Sequence, residues 1–321
     1  MHSGLRDGAL ATSYSLSGQP RRAVPLFEHQ IAIQRERGSK INLAAGLGNL
    51  ACMAQIFIGE LRAAEANLRR SISLNRDIAD EFREAAERDE LSRLLAYRGA
   101  YAESERELAI ALITFEKRAN MQGQGITWAY RALRELLWQQ RAKIPVSVST
   151  TSQSAILAAR RALELADETA RIQFPYERDF VRAHWLLGAA NRFAGHTGEA
   201  ERHLHEALER CRRINCVDVE ADILIDLARL RIATNAPDEA QRLADEALLI
   251  TERSGYVLQG ADAHLELAKL ARARGNQTEA FHHATEAHRL ATCDGPPDYT
   301  YKAAYDEATA LLADLKDTQT R

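Results

Sequence analysis

The sequence predicts an all-α solenoid of stacked helical hairpins, and three observations support this prediction. A turn signal recurs at intervals of about forty residues, a period typical of stacked repeat units. A small residue, alanine or serine, follows each signal five positions later. Apolar residues recur every three or four positions on both sides of each signal, as in amphipathic helices. The turn signals lie at Gly18, Gly59, Gly99, Gly195, Asn235 and Gly275.

Each unit is predicted to contain two antiparallel helices joined at its turn signal. Glycine and asparagine tolerate the positive φ angle that commonly follows a helix C-terminus. Small residues on the first helix, such as Gly188, would face small residues on the second, such as Ala200, so that the two backbones can approach closely. Seven units are predicted, at residues 4–39, 40–77, 78–120, 121–172, 173–215, 216–255 and 256–294.

The first unit differs from the others at its start. Its first helix would begin at Gly4 or Leu5, which leaves it several residues shorter than its counterparts and without a capping residue. We therefore expect the chain to be a fragment of a longer polypeptide.

The fourth unit lacks a turn signal and is predicted from the interval of 96 residues that follows Gly99. Its second helix is indicated by Ala155 and Ala162, which align with the small residues of the next unit. Residues 143–153 contain Pro145 and several serines, threonines and valines, which disfavour a helix. We predict an irregular loop over these residues.

A single helix over residues 298–316 is predicted to cap the C-terminal end of the array. The Gly295-Pro296-Pro297 segment ends the preceding helix, and Asp298 is a suitable N-cap. Solenoids need a terminal element with one polar face. Lys302, Asp306 and Glu307 would supply that face.

The order and spacing of the small and apolar residues in the fifth unit resemble those of the tetratricopeptide repeat (TPR) family, as shown by Leu187-Gly188, Gly195, Ala200, Leu204 and Ala207. The resemblance implies a right-handed superhelix. The units exceed the family's usual length of about 34 residues. Long units of this kind resemble those in the sensor arrays of bacterial STAND-class signal-transduction ATPases, in which a nucleotide-switch domain precedes the repeats.

The composition narrows the range of partners. A formal charge of −3 gives no basic field for nucleic acid, so we expect no nucleic-acid partner. No apolar segment approaches the roughly eighteen residues of a membrane span, and the N-terminus has no signal-peptide pattern. We therefore expect no membrane partner and a cytoplasmic location. Only six of the 42 basic residues are lysines, a bias that is typical of GC-rich genomes and favours a bacterial source.

No motif predicts catalysis, so we expect that the protein is not an enzyme and has no catalytic residues. Gly123 and Gly125 lack the third glycine of a dinucleotide-binding loop, and His205 lacks the second histidine of a zinc-protease helix. The four cysteines form no metal-binding pair. We expect no metal and no cofactor. Four histidines on predicted helices are interpreted as solvent-exposed: His203, His205, His282 and His283.

The resemblance also implies that the first helices of the units line a concave groove. The family's groove positions are the second, fifth, sixth, ninth, twelfth and thirteenth of each unit when the turn glycine is counted as the fifteenth. Fifteen residues are predicted on this basis to bind a ligand or partner: Asp89, Glu90, Arg93, Tyr97, Arg182, Trp185, Arg192, Phe193, Asp222, Asp226, Arg229, Asp262, Glu266, Lys269 and Arg272.

Trp185 and Phe193 are the sharpest candidates, because aromatic and arginine side chains contribute most to interface hot spots. We expect nothing inside the protein to cover the groove. Replacing Trp185 and Arg192 together by alanine is then expected to weaken binding and to leave stability nearly unchanged. The alternative is that the tryptophans pack between hairpins and that the charged positions form a solvated helix face.

We expect a non-catalytic repeat domain that binds a peptide, a protein or a small ligand on its concave face, as the sensor region of a larger bacterial signalling ATPase. An upstream nucleotide-switch domain of the same polypeptide would be a second partner. Two alternatives remain open, a freestanding TPR adaptor or peptide receptor and a scaffold for self-association. The carboxylate clamp of chaperone-binding TPR proteins is absent, because Gly8 and Thr12 occupy its positions.

Overall fold

Helices account for nearly all of the computed structural model, which describes the backbone of residues 3–142 and 150–319 and the side chains of residues 6–142 and 153–317. No strand occurs in these ranges. The predicted all-α solenoid is confirmed. The helices are α1 (Ser3–Leu16), α2 (Pro20–Glu36), α3 (Lys40–Leu50), α4 (Leu61–Asp77), α5 (Glu81–Tyr97), α6 (Tyr101–Lys117), α7 (Met121–Ala142), α8 (Thr150–Ile172), α9 (Glu177–Phe193), α10 (Thr197–Arg213), α11 (Val217–Ala233), α12 (Pro237–Ser254), α13 (Val257–Ala273), α14 (Gln277–Ala291) and α15 (Lys302–Gln319).

Consecutive helices pair into hairpins, from α1 with α2 to α13 with α14, and α15 packs against α13 and α14 at the end of the array. A π-helical turn, Ala51–Gln55, extends α3 toward the turn of its hairpin. Close contact within a hairpin depends on small residues. A Cβ atom added at Gly188 of α9 would lie 2.7 Å from Cγ of Leu204 in α10, which real Cβ atoms do not tolerate.

Two element boundaries differ from the sequence prediction. Helix α8 begins at Thr150, so the last residues of the predicted loop 143–153 are helical, while residues 143–149 lie outside the described residues. Threonine and serine are compatible with the first turn of a helix. Helix α15 begins at Lys302 rather than at residue 298, because a turn closes first, in which the N–H of Asp294 donates to the carbonyl of Tyr299 at 3.1 Å.

The turns within the hairpins follow the sequence prediction. All six predicted turn residues have a positive φ, including 60° at Asn235. At a representative turn, the N–H of Gly99 donates to the carbonyl of Ala96 at 3.0 Å and the N–H of Ala100 donates to that of Leu95 at 2.9 Å. This is the hydrogen-bond pattern that closes a helix at a left-handed residue. The turns between hairpins use positive φ as well, at residues as ordinary as Ala79.

The superhelix closes on itself, because the turn of the second hairpin contacts the C-terminal part of the chain. The N–H of Val257 donates to the carbonyl of Phe57 at 2.7 Å. The N–H of Arg62 donates to the carboxylate of Asp294 at 2.7 Å. A Cβ atom at Gly59 would lie 2.9 Å from Cγ1 of Val257, so this close approach requires glycine. The concave face is thus enclosed by the opposite wall of the same superhelix.

Two histidine pairs connect the helices of the fifth and seventh hairpins. The Nδ1 atoms of His184 and His203 lie 2.9 Å apart, and those of His264 and His283 lie 2.8 Å apart. His203 is only 5% exposed, so its interpretation as a solvent-exposed residue is wrong. The two histidines of each pair belong to different helices, so the pattern of one helix alone does not show the pairing.

Candidate ligand-binding channel

Three adjoining cavities form a channel inside the closed superhelix. The inner cavity has a volume of about 140 Å³, the neck about 40 Å³ and the outer cavity about 320 Å³. Tyr97, Trp185 and Asp222 line both the inner cavity and the neck. Arg192 and Arg229 line both the neck and the outer cavity. The three cavities therefore adjoin one another.

The wall of the channel contains thirteen of the fifteen predicted groove residues. The two exceptions are Asp89 and Arg272. Asp89 is 2% exposed and accepts a hydrogen bond from Oγ1 of Thr127 at 2.9 Å, behind the wall. Arg272 is exposed and lies 3.5 Å from the carboxylate of Asp314. The expectation that nothing inside the protein covers the groove is wrong, because the superhelix closes: Asp226 and Glu266 are 5% and 1% exposed.

A network of ion pairs fills the neck. Asp226 accepts a hydrogen bond from Nε1 of Trp185 at 2.8 Å and one from Arg192 at 3.0 Å. Arg229 donates to Asp262 at 2.8 Å and to Glu266 at 2.7 Å. Charges that are paired in this way leave little for a ligand to neutralise. We assign this part of the wall to holding α9, α11 and α13 in register.

The outer cavity joins this network to the last helix. Lys269 donates to Glu266 at 2.7 Å and to Glu307 of α15 at 3.0 Å. Although burial alone raises the pKa of Glu307, the positive charges of Lys269 and Arg229 bring it down to about 2. Gln140 of α7 donates to the same carboxylate at 3.2 Å. The helix that caps the array is thus tied to the wall of the channel.

The inner cavity has two ion pairs in its wall. Arg93 lies 2.7 Å from Glu90, which also accepts a hydrogen bond from the hydroxyl of Tyr130 at 2.7 Å. Arg178 binds Asp218 through both guanidinium nitrogens, at 3.1 and 2.5 Å. A bidentate pair of this kind is the strongest geometry available to arginine. The charges of these four groups are paired within the protein, although Nε of Arg93 and Oε2 of Glu90 make no hydrogen bond.

Two further ionisable side chains of the inner cavity lack such partners. The closest carboxylate to Arg182 is that of Asp179, at 3.4 Å. Asp222 accepts a hydrogen bond from Nε2 of Gln259 at 3.1 Å and has no ion pair among the described residues. Burial raises the pKa of Asp222 to about 8, and the carboxylates of Asp262 and Asp226 add to the effect, although the bond from Gln259 opposes it.

Gln259 completes this side of the inner cavity. It is 4% exposed, and its Oε1 atom has no hydrogen-bond partner in the protein. A buried amide oxygen without a partner is costly. A donor supplied by a ligand in the cavity would remove this cost.

Neither a family model nor a curated protein matches the chain. Solved structures do match. A Rap protein complexed with Competence and Sporulation Factor is similar over 99% of this chain and 98% of its own, at 12% identity and a TM-score of 0.55. A STAND protein with a tetratricopeptide repeat sensor from Pyrococcus horikoshii is similar over 94% of this chain, at 16% identity and a TM-score of 0.51. The chain spans 45% of that protein.

The chain has a TPR-like fold. Aspartyl phosphate phosphatase F from Bacillus subtilis is also similar, over 92% of this chain and 76% of its own, at 10% identity and a TM-score of 0.51. The resemblance to TPR proteins predicted from the sequence is confirmed at the level of the fold.

Several residues of the channel were missed by the TPR groove pattern. Arg178 and Asp218 lie one helical turn before the first groove positions of their units, at Arg182 and Asp222. Units of about forty residues have longer helices than ordinary TPR units. Extending the groove pattern backward by four residues would have found both. Phe57 comes from the opposite wall, and no local pattern could have placed it there.

Within residues 3–142 and 150–319, no group of three histidine, cysteine or acidic side chains has the geometry to hold a metal ion. In the same part of the chain, no helix combines the length and the apolar character that crossing a bilayer requires.

Proposed function

We propose that this chain is a non-catalytic ligand-binding repeat domain that receives its ligand inside the channel. The observation that carries the proposal is the pair of buried ionisable groups in the inner cavity, Arg182 with one long ion pair and Asp222 with none. Burying a charge without a close partner is unfavourable. Groups held in this way at a concave site are typical of binding sites.

The size of the channel favours a small molecule or an extended peptide segment over a folded protein. The inner and outer cavities hold about 140 and 320 Å³, and ligand sites typically have roughly 300 to 1,000 Å³. The hydrogen bond from the N–H of Val257 to the carbonyl of Phe57 joins the two walls of the superhelix. A folded partner would have to open the superhelix, whereas a small ligand would not.

A sensor role follows from this arrangement. A ligand that contacts both walls would stabilise the closed form over any open form, because it binds the closed form with higher affinity than the open form. In a bacterial signalling ATPase of the STAND class, an upstream nucleotide-switch domain would respond to that change in the cytoplasm. The solved STAND protein with a TPR sensor supports this assignment as an analogy of fold.

A freestanding peptide receptor is the second candidate. It is favoured by the likeness to the Rap protein, which was solved with Competence and Sporulation Factor and is covered over 98% of its length. The two candidates share the channel and differ in what transmits the signal.

A thermal-shift screen of amino acids, short peptides, nucleotides and carboxylic acids tests the proposal on the full chain. Each compound that stabilises the protein is measured again on Arg182→Ala and on Arg272→Ala, a groove position outside the channel. We expect Arg182→Ala to lose the stabilisation and Arg272→Ala to keep it. Equal stabilisation of both variants by every active compound would place the ligand elsewhere and overturn the proposal.

A further inference from the structure

We infer that the inner cavity binds a small zwitterion, a free α-amino acid with a medium-sized apolar side chain, whose ammonium group lies against Asp222 and whose carboxylate lies against Arg182. The inference rests on the proposed function and adds the chemical class of the ligand. Three features of the cavity carry it: an acceptor side, a donor side and an apolar remainder of limited volume.

The acceptor side consists of Asp222 and Gln259. The carboxylate of Asp222 receives only the amide of Gln259, at 3.1 Å, and Oε1 of Gln259 receives nothing from the protein. A primary ammonium group has three donors in a compact arrangement. It would satisfy both acceptors at once. Asp218 does not compete for it, because Arg178 occupies both of its oxygens.

The donor side consists of Arg182. Its guanidinium lies 5.4 Å from the ring centroid of Tyr130 and 3.4 Å from the nearest carboxylate, that of Asp179. A guanidinium is always protonated and matches a carboxylate with two parallel donors. A ligand carboxylate would therefore form a closer pair than the protein provides.

The remaining wall of the inner cavity is apolar or aromatic, with Phe57, Leu133, Trp185 and Leu186 in it. Its volume of about 140 Å³ is close to that of an engineered apolar cavity of about 150 Å³ that binds benzene. Because the same space must also hold the ammonium and carboxylate groups of the ligand, it suits an amino acid with a medium-sized apolar side chain. A longer peptide would have to pass the neck of about 40 Å³, and either of its ends carries only one of the two charges.

Isothermal titration calorimetry with the full chain tests the inference. The probes are the twenty free amino acids, followed, for the tightest of them, by its amide, its N-acetyl derivative and its homodipeptide. We expect at least one free amino acid to bind with a Kd below about 1 mM. Because each capped form lacks one charge, we expect both to bind at least tenfold more weakly, and the dipeptide to bind more weakly than the free amino acid.

Variants assign each charge to its partner. Asp222→Asn should abolish the preference for the free amine over the N-acetyl form, and Arg182→Gln should abolish the preference for the free carboxylate over the amide. Arg182→Lys, which keeps the charge and loses the bidentate geometry, should give an intermediate result. Arg272→Gln should behave as the unmodified chain. Circular dichroism and thermal midpoints establish that each variant is folded.

The outcomes separate the two levels of the argument. If capped amino acids bind as well as free ones, or if Asp222→Asn and Arg182→Gln keep both preferences, the inference is overturned. If no amino acid binds but another compound from the thermal-shift screen requires Arg182, the inference fails and the proposed function stands. If no compound binds in the channel, both fail.

Discussion

Acidification should weaken the fold through the two histidine pairs, His184 with His203 and His264 with His283. In each pair the Nδ1 atoms share one hydrogen bond, at 2.9 and 2.8 Å, so at least one of the two rings must be neutral. Burial, and then the neighbouring histidine, lowers the pKa of His184 and of His264 from 6.5 to about 4. Folding therefore favours the neutral form of both.

The size of the effect follows from linkage. Between pH 6.5 and 4 these two histidines bind more protons in the unfolded chain than in the folded one, so their contribution to the free energy of unfolding falls as the pH falls through this window. For each of the two histidines the loss is about 2 kcal/mol at pH 5 and about 3 kcal/mol once the pH is below 4. A loss of roughly 4 kcal/mol at pH 5 is large against the usual 5–15 kcal/mol of a folded domain.

Urea unfolding at pH 8, 7, 6 and 5 measures this loss. Replacing His184 and His264 together by asparagine, which keeps a donor at the position of Nδ1, should remove roughly 4 kcal/mol of the change between pH 8 and 5. His205→Asn is the matched control, because His205 is exposed on the same helix as His203. Carboxylates titrate alike in all three proteins and cancel in the difference. The reasoning is refuted if the double variant shows the same pH dependence as the unmodified chain.

Three further predictions concern packing and the channel. Replacing Trp185 and Arg192 together by alanine should lower the free energy of unfolding in urea by at least about 3 kcal/mol, because both side chains donate hydrogen bonds to a buried aspartate. Unchanged stability would instead support the expectation from the sequence that these two side chains contribute little to the fold. Gly188→Ala should destabilise the fold by about 1–3 kcal/mol. Gly198→Ala should be neutral or stabilising, because an added Cβ there meets nothing within 4 Å. Equal effects of the two substitutions on stability would contradict the packing described. Binding of an ammonium-bearing ligand at pH 7 should release about one proton, because Asp222 has a pKa of about 8 when the cavity is empty. Calorimetry in two buffers of different ionisation enthalpy measures this release. No release would show that Asp222 does not face the ligand.

The repeated units were predictable because their signals are local. A glycine, or an asparagine such as Asn235, can take a positive φ because its own side chain, or the lack of one, permits that backbone conformation. The spacing of apolar residues fixes which face of each helix is buried. These features need no knowledge of distant parts of the chain, so hairpins and turns followed from the sequence.

The enclosure of the channel was not predictable in this way. It depends on a hydrogen bond between Phe57 and Val257, which are two hundred residues apart, and on the accumulated rotation of all the hairpins between them. Groove positions could be assigned from one unit alone. One unit alone cannot show whether the groove is open or covered, because small differences in the rotation of each hairpin add up over the array.

The histidine pairs were partly predictable from the sequence. His184 and His264 occupy equivalent positions two units apart, and so do His203 and His283. The double recurrence was visible in the sequence as a period of about eighty residues. The pattern of a single helix does not show the pairing, because the two partners belong to different helices of one hairpin.

Hydrogen–deuterium exchange of the full chain, with and without a saturating concentration of the tightest-binding probe, tests the central claim most directly. If the ligand lies in the channel, the first helices α5, α9 and α11 should be protected, because they supply Arg93, Arg182 and Asp222. The second helices α6, α10 and α12 should exchange as before. Protection confined to the second helices, or none on the first helices while the probe is bound, would contradict the claim.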